Sequence, residues 1–347
     1  MGYYVDTVLR ETERRFKEII AENNSPVCVP SLYIGGGTPS ILGKKGIVQL
    51  LEGLQSIIGR PQEITVEANP ESASLLFLKA CVDHGVTRLS LGIQSFNEKA
   101  LKAVGRNGRP SENISEIAAI FGKGLSLDLM SGLPGQTESV LHNDIEKALS
   151  YAPGHISLYA LYIEEETPLA LRCKEELPKE KSDMLWLTGR DALKKAGFEH
   201  YEVSNFAIAP LYRSVHNIRY WRMKNWIGIG PSASGTIINI DGTGQRLSYA
   251  SDLKEFNSDP LVIMEALDRN TILKETLMMG FRYCEGPDML LFDRRFGKTV
   301  EETIPRTLSL WKKRAGNQPL QETIMNFLNS FLLDAFSEID NQSIKSI

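Results

Sequence analysis

Ser31-Leu32-Tyr33-Ile34-Gly35-Gly36-Gly37-Thr38-Pro39 is the stretch on which the fold turns. A short apolar run stops at three glycines, the pattern of a buried strand entering a tight loop. Working outward, the same unit recurs. Strand-like runs fall at 64–68, 88–93, 125–130 and 156–161, with helical patterns between them near 46–58, 72–84, 97–104 with 112–121, and 138–150. Short apolar runs alternating with helices indicate parallel strands covered by helices. With right-handed crossovers, they predict a partial or complete β/α barrel.

The chain opens with a helical pattern at 5–22, carried by Val5, Val8, Leu9, Phe16, Ile19 and Ile20. The repeat therefore starts on α. A barrel built from these units lacks a strand beside Ser31–Ile34, so an unpaired edge is expected there. Beyond about residue 165 the periodicity weakens. A helix near 182–196 leads to a strand-like run at 198–203 and then to a loop-rich stretch, 205–235, dense in aromatics and glycine. Helical patterns dominate from residue 252. The expected division is a barrel with its aromatic extension over 1–250 and a mainly helical domain over 251–347.

Composition narrows the function classes. The 39 Lys and Arg against 43 Asp and Glu leave a net charge of −4, with no basic excess for nonspecific nucleic-acid binding. No apolar run is long enough for a membrane span. Cys28, Cys81, Cys173 and Cys284 are too scattered for a secreted disulfide framework, which makes a reducing compartment the default. Residues 5–22 carry charges of both signs, fitting neither a signal peptide nor a transit peptide. A cytoplasmic protein is expected, or a mitochondrial or chloroplast one if a targeting segment precedes Met1.

Polar residues recur where the strand-like runs end. Glu67, Gln94 and Asp128 stand at that edge, the ligand-binding end of a β/α barrel. Each alone reads as a satisfied strand-end hydrogen bond; together they favour a small-molecule site. Asp128 is the sharpest, since a carboxylate inside an apolar run is costly unless paired. Gly35-Gly36-Gly37 is either a plain turn or a place where backbone N–H groups approach an anion, and it matches neither a P-loop nor a dinucleotide fingerprint. His155 reads as structural. His216-Asn217-Ile218-Arg219-Tyr220-Trp221 joins an imidazole to two large aromatics, either a packed loop or a wall for a flat macrocycle or metal.

These segments, in order, resemble a known family. Tyr33–Ser40, Glu67-Ala68-Asn69-Pro70, Gly92-Ile93-Gln94-Ser95-Phe96, Gly105-Arg106, Gly132-Leu133-Pro134-Gly135-Gln136-Thr137, Tyr201–Phe206, His216–Trp221 and Gly228–Pro231 are similar to the radical S-adenosylmethionine family of oxygen-independent coproporphyrinogen oxidase-like proteins. The His-Asn-x-x-Tyr-Trp segment resembles its haem-chaperone branch. The resemblance implies a partial barrel holding S-adenosylmethionine. Gly36, Gly37 and Thr38 would meet the methionine end, with Glu67, Gln94, Arg106 and Asp128 as further contacts. His216, Asn217, Tyr220 and Trp221 would belong to a haem-associated segment.

One departure is plain. Family members carry Cys-x-x-x-Cys-x-x-Cys for a [4Fe–4S] cluster, and none of the four cysteines here has that spacing. An upstream truncation or alternative start would explain both this and the unpaired edge. The resemblance therefore implies a haem-binding chaperone that delivers haem to an acceptor protein without radical chemistry in this chain. The alternatives are a coproporphyrinogen III oxidase-type enzyme of porphyrin biosynthesis and an inactive truncated isoform.

Overall fold

Apolar runs of four to seven residues separated by capped amphipathic helices can bury both faces only as parallel strands under a helical layer. The computed structural model, which describes residues 2–23, 27–106, 113–164, 168–172, 178–258, 260 and 262–344, has that arrangement. The chain forms two compact units. The first contains Met1–Val5 and Glu13–Ser214, the second Asp6–Thr12 and Val215–Ile347.

Unit 1 holds a seven-stranded sheet: β1 (Ser31–Ile34), β2 (Glu63–Ala68), β3 (Arg88–Gln94), β4 (Leu125–Ser131), β5 (His155–Ala160), β6 (Glu199–Glu202) and β7 (Asn205–Ala207), in the order β1-β2-β3-β4-β5-β7-β6. The first five are parallel; β7 runs antiparallel to both of its neighbours, β5 and β6. This is a curled half-barrel sheet. Among the described residues β1 pairs with β2 alone, so the expected edge is present.

The helices of this unit are α1 (Gly2–Asn23, shared with unit 2), α2 (Gly43–Ile58), α3 (Leu75–Asp83), α4 (Glu98–Ala103), α5 (Ile114–Phe121), α6 (Glu138–Ser150), α7 (Pro168–Arg172) and α8 (Lys179–Lys195). Their starts are written in the sequence: Ser74 and Thr137 each accept the backbone N–H three residues on, and Asn97 accepts two. The core is buried Val66, Leu89, Leu91, Leu127, Leu129, Ile156 and Leu158 against Leu51, Phe77, Leu78 and Leu141.

A second, polar core closes the strand starts. Ser126 Oγ lies 2.8 Å from His155 Nδ1, and His155 Nε2 lies 2.8 Å from the Tyr201 hydroxyl. That hydroxyl accepts the Ser214 N–H, while Ser214 Oγ donates to Glu63. Arg88 donates to the Tyr212 carbonyl. His155 is thus a structural residue, as its sequence position suggested.

Unit 2 opens with the short helix α9 (Val215–Trp221). An antiparallel sheet of β8 (Ser234–Ile238), β9 (Gly244–Tyr249) and β10 (Val262–Leu267) follows, in the order β10-β9-β8. The rest is helical: α10 (Leu253–Ser258), α11 (Arg269–Gly280), α12 (Met289–Phe296), α13 (Val300–Thr303), α14 (Pro305–Ala315), α15 (Leu320–Asn326) and α16 (Leu328–Ile344). Phe331 stacks edge-on to both Phe281 and Trp311 at its centre.

The units part at Ser214/Val215, not near residue 250 as the sequence suggested. The reason is strand pairing. β9 ladders to β10 over six residue pairs, which ties the segment before 250 to the segment after it. The buried carboxylate of Glu11 adds a second tie within this unit, accepting the Tyr249 hydroxyl at 2.6 Å.

Candidate functional site

The glycine run sits where β1 ends, and Glu67 on the neighbouring β2 organises it. Tyr33 donates its hydroxyl to Glu67 Oε1 at 2.5 Å, and the Gly36 N–H donates to Oε2 at 3.0 Å. A Cβ on Gly35 would stand 2.5 Å from the Glu67 carboxyl carbon and 2.6 Å from the Tyr33 ring, so only glycine fits. Gly36 has φ +80°, and a Cβ on Gly36 or Gly37 would meet open space. The loop therefore rests on Glu67 from below and is open above. Thr38, half-buried, begins the 3₁₀ turn Pro39–Leu42 without a side-chain cap bond.

Asp128 stands two strands along, on β4. Register pairs it with Gly92 on one side and Ser157 on the other. Ser90 donates to Oδ2 at 2.7 Å, whereas Oδ1 is buried and closes no hydrogen bond. Burial drives the Asp128 pKa up to about 6; Ser90, Ser157 and Arg88 oppose the rise, and the Glu67 charge adds to it. Burial, and after it the same two carboxylates, hold the Tyr33 phenol protonated.

Gln94 and Arg106 gather around Gly92. The β3–β4 ladder bulges between Gly92 and Gln94, and Gln94 takes φ +66°, a strained conformation for a non-glycine residue. Gln94 Nε2 and Asn69 Oδ1 lie 3.0 and 3.2 Å from where a Gly92 Cβ would be. Arg106 donates to the Gly92 carbonyl at 3.1 Å. Tyr33, Asn69, Ser90 and Ser157 were not singled out from the sequence. All but Asn69 precede or lie within apolar runs, where polar residues one strand over cannot be paired without the register.

The aromatic segment folds as α9 in unit 2. His216 and Tyr220, one helical turn apart, place their rings 5.1 Å from each other, and Tyr220 lies 4.7 Å from Trp226. Burial and the Arg219 charge push the His216 pKa down to about 4, so its imidazole is neutral at physiological pH. Asn217 and Trp221 form the adjacent stripe, with the Arg282 guanidinium 4.8 Å over the Trp221 ring. Two clusters result, one per unit: strand-end carboxylates with an open glycine loop, and an aromatic row with a neutral imidazole.

The described cysteines form no third cluster. Among the described residues, no cluster of three or more His, Cys, Asp and Glu could hold a metal ion. Cys28 is exposed and Cys81 buried on α3, while Cys173 lies outside the described residues.

Comparison with known proteins gives a consistent result. The radical SAM superfamily model matches residues 4–148. The heme chaperone HemW of Lactococcus lactis is 33% identical over 283 residues, covering 78% of this chain and 74% of that protein. HemW of Haemophilus influenzae is 36% identical over 262 residues, 73% of this chain and 66% of that one. The mitochondrial radical S-adenosyl methionine domain-containing protein 1 of Mus musculus is 34% identical, covering 81% and 70%. In fold, the coproporphyrinogen III oxidase HemN of Escherichia coli superposes with a TM-score of 0.75 at 19% identity, over 97% of this chain and 82% of that one.

Proposed function

We propose, from the premise that this chain belongs to the HemW heme-chaperone family of radical SAM proteins, that it holds haem through unit 2 and passes it to an acceptor protein. The observation that carries this reading is the neutral imidazole of His216 in a row with Tyr220 and Trp226. Metal binding requires the neutral imidazole, and a histidine that protonates only near pH 4 keeps that form throughout the physiological range. Flat aromatic neighbours suit a flat macrocycle.

The strand ends of unit 1 fit S-adenosylmethionine. The ligand is zwitterionic with a ribose diol, and the buried Asp128 Oδ1 is an acceptor in want of a hydroxyl. The open side of Gly36, Gly37 and Thr38 suits its methionine end, with Glu67 holding that loop in place and Gln94 and Arg106 flanking Gly92. When bound, S-adenosylmethionine supplies a reducible sulfonium. A [4Fe–4S] cluster does not fit the residues of this chain: its cysteines lack the spacing, and no three ligands converge among the described residues. The role of unit 1 here is to bind and orient.

A haemin titration followed at the Soret band tests the reading. His216→Ala is expected to shift that band and weaken binding at least tenfold. Unchanged affinity with an unchanged spectrum would remove His216 from the role. A coproporphyrinogen III oxidase-type activity is the second reading, favoured by the strand-end carboxylates; turnover of coproporphyrinogen III with S-adenosylmethionine would support it. No helix among the described residues is long and apolar enough to cross a membrane. Free thiols suit a reducing compartment, cytoplasmic or organellar.

A further inference from the structure

Two buried donors in unit 2 have no acceptor. Trp221 Nε1 and Arg282 Nε are both shielded from solvent and neither closes a hydrogen bond. They belong to stacked partners, the guanidinium lying 4.8 Å over the indole. Native interiors satisfy such groups almost without exception, because each unmet donor is a standing penalty.

Neighbouring cations behave differently. Arg222 also lies over an aromatic ring, Tyr283 at 5.4 Å, but Glu285 neutralises it at 2.6 Å. Lys224 is paired with Asp288 at 2.8 Å. Arg282 alone of the three has no carboxylate among the described residues. Its site has the donors of an ion pair and lacks the anion.

Two buried N–H donors on residues in contact, one of them charged and lying over the indole, match a carboxylate. Its two oxygens can accept both, each at about 2.7–2.9 Å. Trp221 follows Tyr220 directly on α9, so this pair borders the row of His216, Tyr220 and Trp226. We propose that Trp221 and Arg282 anchor a propionate carboxylate of the bound porphyrin. This rests on the haem-holding reading above and separates two tasks: His216 acts on the metal, Arg282 on the rim of the macrocycle.

Three ligands separate the tasks: ferric haem, metal-free protoporphyrin IX, and protoporphyrin IX dimethyl ester, which lacks the charged carboxylates. Binding is read by tryptophan quenching and, for haem, by the Soret band. Arg282→Met keeps an apolar stem on the indole. It is expected to weaken haem and protoporphyrin about tenfold or more, to leave the ester unchanged and to leave the Soret position in place. Arg282→Lys, which keeps the charge but not the planar fork, should fall between and serves if the methionine variant misfolds. His216→Ala should affect haem alone. If the wild-type protein binds ester and free acid equally, or Arg282→Met binds protoporphyrin as the wild type does, the anchor is wrong while haem binding stands. If the wild type binds none of the three, the haem-holding reading and the anchor fall together.

Discussion

At the strand starts of the parallel sheet, His155 engages both ring nitrogens, with Ser126 and with Tyr201. At the strand ends of the same sheet, Asp128 has Oδ2 served by Ser90, while its buried Oδ1, with Ser157 on the neighbouring strand, closes no hydrogen bond. Both side chains come from adjacent strands and lie on the same face of the sheet, opposite Leu127, Leu129, Ile156 and Leu158. The difference is satisfaction. A polar group whose partners are all supplied by the fold works for the fold, whereas one left short by its own protein is available to a ligand.

The largest test of that contrast is at the strand starts. His155→Ala removes the centre of the chain from Ser126 to Tyr201, taking a partner from each hydroxyl and leaving Tyr201 with the Ser214 N–H; it is expected to cost about 3–5 kcal/mol in chemical denaturation. A loss under 1 kcal/mol would break the comparison. The pH dependence has a definite sign. Burial, then the Arg88 charge, hold the His155 pKa well below its ordinary 6.5, so below pH 6.5 the unfolded chain binds the proton and the native state does not. Stability from this residue is full above about pH 6.5 and declines as pH falls. The alanine variant should lose that component of the slope.

Gly35→Ala comes next. The new methyl would stand 2.5 Å from the Glu67 carboxyl carbon, and the loop cannot yield without giving up the Gly36 bond. A loss of about 1–3 kcal/mol is expected, with weaker S-adenosylmethionine binding by calorimetry. Gly37→Ala, with open space at its Cβ, should leave stability nearly unchanged. Equal losses in both variants would show that Glu67 does not support the loop.

The smallest effect has the opposite sign. The Asp128 pKa is raised from 3.8 to about 6 by burial, so its ionised form destabilises the native state once pH climbs through that range. Asp128→Asn should therefore gain about 1–2 kcal/mol at pH 7, and the gain should vanish below about pH 4. The same change should weaken S-adenosylmethionine binding. Stabilisation together with lost binding is the signature of a residue kept for a ligand; destabilisation at pH 7 would mark Asp128 as structural, like His155.

Much of this was legible beforehand. The five parallel strands announced themselves as apolar runs between capped helices. Asp128 stood out because a carboxylate interrupts Leu127 and Leu129. The strand β7 did not, since three residues carry no period, and β8–β10 were hidden in glycine-rich sequence whose ladder runs across the expected boundary. Tyr33 and Ser90 escaped for another reason: each meets its carboxylate across a neighbouring strand.

Alone, the sequence determined the half-barrel, the order of its elements and the polar residues at the strand ends, because periodicity and caps are local properties of the chain. The tertiary structure decided which of those residues are satisfied. Glu67 is taken up by Tyr33 and Gly36, Asp128 is left short, and Trp221 and Arg282 meet with no acceptor between them. Hydrogen-bond satisfaction depends on register and on contacts between residues distant in the chain, and no single stretch of sequence contains it.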